Sequence, residues 1–317
     1  LQFLGGYGKL LGMDFIIIGG GPAGLTAGLY GKRLGLSGLI IEGKAPSSAT
    51  LTSDIENIPG IPKISGLDFV NTLKEQVKSL GVEILPADAT KIIEKPGLWE
   101  VHTNGEIYTS PAIIIATGAS FKRLKVKGEE RLTGKGVSYC AVCDGPFFKD
   151  KTLVVVGGGN TALEEALFLT KFAKGVYVIH RREKLRADYI LQERAFKNEK
   201  IEFILSFIVD EIIGENRVSS IRIKNVKTSE ERILECDGVF IFVGLIPNSE
   251  IVKGILLLSD SGYIITDEEM RTSRRGIFAA GDVREKSLRQ IITACSDGAK
   301  AVYSLFLYLK EEKNERV

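Results

Sequence analysis

Cys140-Ala141-Val142-Cys143-Asp144 is the stretch of this sequence whose residue types and spacing promise the most chemistry. Two thiols in a Cys-x-x-Cys arrangement can supply half of a zinc site or open and close as a redox pair. Structural zinc wants four ligands, usually from two such pairs. The other candidates are the separated Cys236 and Cys295 and two histidines, one of them, His180, set in an arginine cluster. The pair therefore reads as redox-active, no metal site is expected, and Asp144 is placed to protonate a departing thiolate. Cys236 and Cys295, without close partners in sequence, read as small buried hydrophobes.

A redox pair needs an electron source, and the sequence offers two nucleotide-binding turns. An apolar strand running into glycines occurs at Phe15 to Gly24 and again at Leu153 to Ala162. In the first, Gly19, Gly21 and Gly24 fill the G-x-G-x-x-G pattern, with Pro22 and Ala23 among the residues of the turn expected to bind the cofactor. Such a turn lets a pyrophosphate approach bare backbone and meet the free N–H groups of the helix start. Glu42, at the end of the next strand, is placed to accept hydrogen bonds from an adenosine ribose, which suits FAD or NAD and disfavours a 2′-phosphate. The second turn, Gly157-Gly158-Gly159-Asn160-Thr161-Ala162, has alanine in the third slot, which the pattern permits. At the matching strand end stand His180, Arg181 and Arg182, with Arg186 following. A cationic strand end selects a 2′-phosphate, hence NADPH over NADH.

The elements that must position these residues are legible as two copies of one architecture. Leu25 to Leu34 reads as a helix and Gly38 to Glu42 as a buried strand; Ala162 to Phe172 and Val176 to His180 repeat that order. Trp99 to Thr103 and Ile107 to Thr109 flank Asn104-Gly105 as a hairpin, and Ala112 to Ala116 returns as a buried strand. Ile221 to Val226, Arg232 to Glu235 and Gly238 to Val243 are their counterparts in the second lobe. Gly276 to Asp282 is a further strand entering a turn, and Ser287 to Lys310 is helical in pattern. The fold class is α/β, with two Rossmann-like nucleotide-binding domains of the three-layer ββα type.

Length and composition agree with that reading. The 317 residues leave room for two domains of roughly 150 residues each. Forty-two Lys and Arg against 40 Asp and Glu, net +2, give no reason to expect a nucleic-acid or anionic-membrane partner. No apolar run approaches the roughly 20 residues of a membrane span, and the opening residues lack the basic flank and cleavage site of a signal peptide. Four cysteines in so long a chain point to a reducing, cytoplasmic compartment. The first convincing strand begins at Met13, so residues 1–12 read as an extension, not necessarily native.

Taken in order, Cys-Ala-Val-Cys-Asp-Gly, Gly-Gly-Gly-Asn-Thr-Ala-Leu-Glu-Glu-Ala, His-Arg-Arg with Arg186, Phe-Ala-Ala-Gly-Asp-Val and Arg-Gln-Ile-Ile-Thr-Ala give a specific likeness. From about residue 13 to 310 the chain resembles the low-molecular-weight, bacterial and archaeal thioredoxin reductases of the pyridine nucleotide-disulfide oxidoreductase family. The resemblance implies a homodimer in which residues 13–120 and 248–317 bind FAD and an inserted lobe, 121–247, binds NADPH and carries the redox disulfide. It implies FAD contacts from Asn57, from Ala116-Thr117-Gly118, from Gly281 and Asp282 near the ribityl chain, and from Arg289, Gln290 and Ile291 against the flavin. It places Cys143 nearer the flavin and Cys140 more accessible, and it implies rotation of one lobe against the other about hinges near 118–123 and 244–247.

One segment departs from the pattern: Pro46-Ser47-Ser48-Ala49 stands where the family usually has Gly-Gly-Gln-Leu, although Asn57-Ile58-Pro59-Gly60 is retained. The expected reaction is reduction of thioredoxin, or of a thioredoxin-fold protein, by NADPH. Two other readings stay open. One is a flavin reductase or NAD(P)H oxidase passing electrons to ferredoxin, a quinone or oxygen, although such relatives typically lack the cysteine pair. The other is a redox-sensing flavoprotein that turns over no substrate.

Overall fold

Phe15-Ile16-Ile17-Ile18 is an all-apolar, mostly β-branched run, and it forms the fully buried strand β1 (Phe15–Ile18) at the centre of a parallel sheet. The structure, a computed structural model, describes residues 13–51 and 55–315; the expected extension at 1–12 lies outside them. The chain divides into two units, one made of the residues up to Ser120 and from Ile246 onward, the other of Phe121–Leu245.

In the first unit β1 is followed by α1 (Pro22–Arg33), β2 (Gly38–Glu42), α2 (Gly66–Ser79) and β3 (Glu83–Pro86). A meander of β4 (Ala89–Lys95), β5 (Leu98–Thr103) and β6 (Ile107–Ser110) comes next, then β7 (Ile113–Ile115) and β8 (Ala119–Phe121). The second unit runs α3 (Glu129–Leu132), β9 (Val137–Ser138), α4 (Ala141–Asp144), β10 (Thr152–Gly157), α5 (Asn160–Leu169), β11 (Gly175–His180), α6 (Tyr189–Phe196) and β12 (Ile201–Leu205). Its own meander, β13 (Phe207–Ile213), β14 (Ser220–Asn225) and β15 (Glu231–Glu235), leads to β16 (Gly238–Phe242). The chain then returns through β17 (Leu245–Pro247), β18 (Ile277–Ala279) and α7 (Ile291–Glu315).

The first unit's sheet has the order β18-β7-β1-β2-β3, all parallel. Successive side chains of a strand face opposite sides, so this sheet builds two cores. Ile17, Ile40, Ile114 and Phe278 pack with α1, α2 and α7, while Ile16, Ile18, Leu39, Ile41, Ile113 and Ile115 pack with Ile92, Trp99, Val101 and Tyr108 of the meander. The second unit repeats the plan with the order β12-β11-β10-β16-β9. Leu153, Val155 and Val178 face α5 and α6; Val154, Val156 and Ile179 face Val209, Ile221 and Ile223 of the second meander. Each unit is thus a Rossmann-like domain in three layers, meander, parallel sheet and helices, the second inserted into the first.

Three helices differ from their sequence-based bounds. The helix expected over 25–34 spans Pro22–Arg33, because Gly21 is its extended N-cap and Pro22 takes the first helical position. The helix expected over 162–172 spans Asn160–Leu169, because Gly159 sits extended at its N-cap and Thr170 closes it. The helix expected from Ser287 starts at Ile291, where Thr293 Oγ1 accepts the Gln290 N–H at 3.1 Å and fixes the residues before the first turn.

Candidate active site

At the β1–α1 turn the backbone is drawn in so tightly that side chains have no room. Gly19 has φ +125°, and a Cβ there would come within 2.1 Å of the Ala116 carbonyl oxygen; a Cβ on Gly24 would come within 1.9 Å of the Gly19 carbonyl oxygen. Gly21 is the extended N-cap of α1 and Pro22 its first residue, a position where a missing N–H costs nothing. Ala23 is buried behind the turn. The result is a helix start with bare backbone and free N–H groups, a cradle shaped for phosphate.

Glu42 lies beside this turn, its Cγ 2.6 Å from where a Gly20 Cβ would stand, and its Oε1 pairs with Lys74 Nζ at 2.6 Å. Sequence reasoning missed Lys74, which reaches Glu42 from α2. The departing segment also touches the turn: Ser47 Oγ, just before a short helical turn at Ser48–Leu51, is 3.1 Å from the Cβ position of Gly21.

Residues distant in sequence converge on the first unit's sheet end. Asn57 Nδ2 donates to Gln290 Oε1 at 2.9 Å, tying together two expected contacts. Thr117 Oγ1 donates to the Asn248 carbonyl at 2.6 Å, and Asn248 Nδ2 returns a bond to the Thr117 carbonyl at 2.9 Å, so the Ala116-Thr117-Gly118 turn is held by a residue the sequence gave no reason to single out. Gly281 has φ +80° and its N–H donates to Asp297 Oδ2 at 3.1 Å. Asp297 is buried and also receives Lys286 Nζ at 2.9 Å and Arg284 at 3.2 Å. Its only sequence signal is a lone acidic residue in an otherwise small and apolar part of α7.

Among the described residues Asp282 Oδ1 and Arg289 Nε are buried with no hydrogen-bond partner, and the Lys286 ammonium lies 3.7 Å from Asp282 Oδ1. Burial raises the Asp282 carboxyl above the usual range, against the pull of Lys286 and Arg289. The Arg289 guanidinium stacks over the Tyr263 ring at 4.1 Å, and Ile291 begins α7. A buried acceptor and a buried donor each cost about 1–3 kcal/mol when unsatisfied, so this donor set fits a polyhydroxylated, phosphorylated ligand lying along Asp282 and Arg289.

The second unit repeats the cradle at the β10–α5 turn. A Cβ on Gly157 would meet the Phe242 carbonyl oxygen at 2.4 Å, and Gly159 caps α5 with open space around it. Thr161 is exposed and Ala162 fully buried. His180 occupies the place Glu42 holds in the first unit: its ring lies 2.4 Å from the Gly158 Cβ position. Its side chain is buried, Nε2 has no hydrogen-bond partner among the described residues, and burial together with Arg186 lowers its pKa below the usual histidine value, favouring the neutral imidazole. Arg181, Arg182 and Arg186 are exposed, and the Arg186 N–H donates to the Gly158 carbonyl at 2.6 Å. Asn160, expected as a nucleotide ligand, spends both ends of its amide on Asp188, at 2.7 Å each.

The cysteine segment belongs to this same unit. Cys140 is disulfide-bonded, whereas Cys236 and Cys295 are free, with burial pushing the Cys236 thiol up to about 12 and raising Cys295 as well. The Cys143 side chain lies outside those described. The buried Ser138 hydroxyl accepts the Cys140 N–H at 3.0 Å, and the Asp144 N–H closes the α4 turn onto the Cys140 carbonyl at 3.2 Å. Among the described residues no cluster of His, Cys, Asp and Glu is placed to hold a metal, and no helix is long and apolar enough to cross a membrane.

Two glycine cradles and a disulfide-bonded Cys140 are joined by a match of residues 13–298 to the family described as pyridine nucleotide-disulphide oxidoreductase. The chain belongs to that family. Within it the chain is 48% identical over 302 residues to a thioredoxin reductase of Listeria innocua, covering 95% of each. Its fold is similar to the crystal structure of Lactococcus lactis thioredoxin reductase, with a TM-score of 0.92 at 44% identity, covering 94% of this chain and 99% of that one. The thioredoxin reductase of T. acidophilum aligns with a TM-score of 0.90 at 34% identity, covering 94% and 98%.

Proposed function

We propose that this chain is a thioredoxin reductase that carries two electrons from NADPH to the disulfide of a thioredoxin, or of a thioredoxin-fold protein. The balance is NADPH, a proton and a protein disulfide giving NADP and the protein dithiol. The observation that carries the reading is the disulfide-bonded Cys140 within a Cys-x-x-Cys, in the same unit as a second, cation-flanked dinucleotide turn.

FAD, when bound, supplies the two-electron relay between nicotinamide and disulfide. In the first unit Gly19, Gly21, Pro22, Ala23 and Gly24 hold its pyrophosphate, Glu42 its adenosine ribose and Asp282 Oδ1 a ribityl hydroxyl. Ala116, Thr117, Gly118 and Gly281 shape the backbone around it; Arg289, Gln290 and Ile291, braced by Asn57, orient the flavin end. In the second unit Gly157, Gly159, Thr161 and Ala162 form the NADPH cradle, and Arg181, Arg182 and Arg186 supply the charge for the 2′-phosphate. Cys140 and Cys143 exchange electrons with the partner protein, and Asp144 gives a proton to the thiolate that leaves. The working form is a cytoplasmic homodimer.

The test mixes FAD-loaded protein with excess NADPH and an oxidised thioredoxin, and follows dithiol formation beside Cys143→Ser. Turnover is expected in the parent protein and absent in the variant, with flavin bleaching by NADPH kept in both. Bleaching without turnover of any thioredoxin-fold acceptor, the cysteine pair being intact, would assign the electrons to another acceptor.

A further inference from the structure

Asp188 stands at the N-cap of α6 in extended conformation, where an aspartate ordinarily turns its carboxylate onto the helix's own free N–H groups. It makes no such bond. The carboxylate instead accepts from Asn160 Nδ2 at 2.7 Å, and the Asp188 N–H donates to Asn160 Oδ1 at 2.7 Å. Two residues earlier the Arg186 N–H donates to the Gly158 carbonyl at 2.6 Å. The segment after β11 is therefore laced to the glycine turn at alternate residues, Arg186 to Gly158 and Asp188 to Asn160. Ala187 between them and Leu185 just before them are buried in the core. That alternation fixes the strip in one register and leaves the Arg186 side chain on the outside.

We propose that the reciprocal Asn160–Asp188 clip is the device that discriminates a 2′-phosphorylated nucleotide from its unphosphorylated counterpart, by holding the Arg181–Arg186 strip at the mouth of the turn. Asp188 is a positioning residue: it acts on the nucleotide through Asn160 and Arg186. A carboxylate near a site for a phosphate dianion opposes binding through space, so its placement there is explained by the hydrogen bonds it makes and not by its charge. The inference rests on the reading of the second unit as the NADPH domain.

The clip is tested by equilibrium binding of 2′,5′-ADP and of ADP to the FAD-loaded protein, by titration calorimetry. Asp188→Ala is expected to lower the preference for 2′,5′-ADP about tenfold, equivalent to ~1.4 kcal/mol, with the flavin spectrum and the ADP affinity unchanged. Asp188→Asn keeps an acceptor for Asn160 and loses only the opposing charge, so it should keep or sharpen the preference. Asn160→Ala should match Asp188→Ala, and the double variant should lose no more than either, as members of one pair do. A preference within twofold of the parent in Asp188→Ala would overturn the clip, and so would an equal loss in Asp188→Asn. If the parent itself does not prefer 2′,5′-ADP, the NADPH reading fails and this inference with it, an outcome recognisable before any variant is made.

Discussion

Glu165 lies on α5 with its side chain buried, Oε2 without a hydrogen-bond partner, and its carboxyl pushed up to about 8, first by burial and then by the neighbouring Glu164. An acid whose folded value stands above its ordinary 4.5 stabilises the fold while both states are protonated, and loses that contribution as pH rises through the folded value. The window here runs from about pH 4.5 to 8. At about 1.4 kcal/mol per unit, the loss by pH 8 is at most a few kcal/mol. Glu165→Gln, neutral at every pH, is expected to flatten the pH dependence of Tm across that window and to exceed the parent in stability at pH 8. Parallel Tm curves for the two proteins would mean that Glu165 is already ionised in the fold. The same residue shows where sequence reading stops. Glu164 and Glu165 look alike in the sequence, and only the packing of α5 tells which one is buried. Likewise Asn160 was legible as part of the dinucleotide turn, but its engagement with Asp188 was not, since nothing local specifies a side chain's partner across a loop.

At the scale of elements, the buried parallel strands were the most legible part, because a strand covered on both faces reads as an unbroken apolar run; β1, β7 and β16 are such runs. The glycine turns were legible for a related reason, since the close approaches at Gly19 and Gly157 admit no other residue. The pairing of α7 against α1 was not, because it depends on Gly298, which looks like an unfavourable residue within a helix. A Cβ there would stand 2.1 Å from the Ala23 carbonyl oxygen, so the glycine is what lets α7 approach the first turn of α1. Replacing a helical glycine by alanine ordinarily gains up to about 1 kcal/mol, whereas overpacking costs about 1–3 kcal/mol. Gly298→Ala is therefore expected to be net destabilising, by roughly 1–2 kcal/mol on these magnitudes, and to release FAD more readily than the parent, read as a lower Tm and a weaker flavin absorbance after gel filtration. A rise in Tm with flavin retained would show that α7 shifts at no cost.

At the scale of the molecule, the inserted unit is a contiguous segment with two apolar cores of its own, one on each face of its sheet. Its ends come together: the strands β8 and β17, which carry the chain in and out, pair with each other, and the Lys122 N–H donates to the Gly244 carbonyl at 2.8 Å. A segment with a private core and adjacent termini meets the conditions under which a domain folds alone. The first unit has no such continuity, since β18 and α7, which complete its sheet and its helical core, are made only after the insertion. Residues 121–245 expressed alone are accordingly expected to unfold in one cooperative thermal transition and, on the NADPH reading, to bind 2′,5′-ADP without flavin. The first unit should fold once residues 120 and 246 are joined by a short linker, because the pairing of β8 with β17 has already brought those ends together. A 121–245 fragment that stays unfolded would show that its stability is borrowed from the rest of the chain, and the insertion would then have to be regarded as one folding unit with its host.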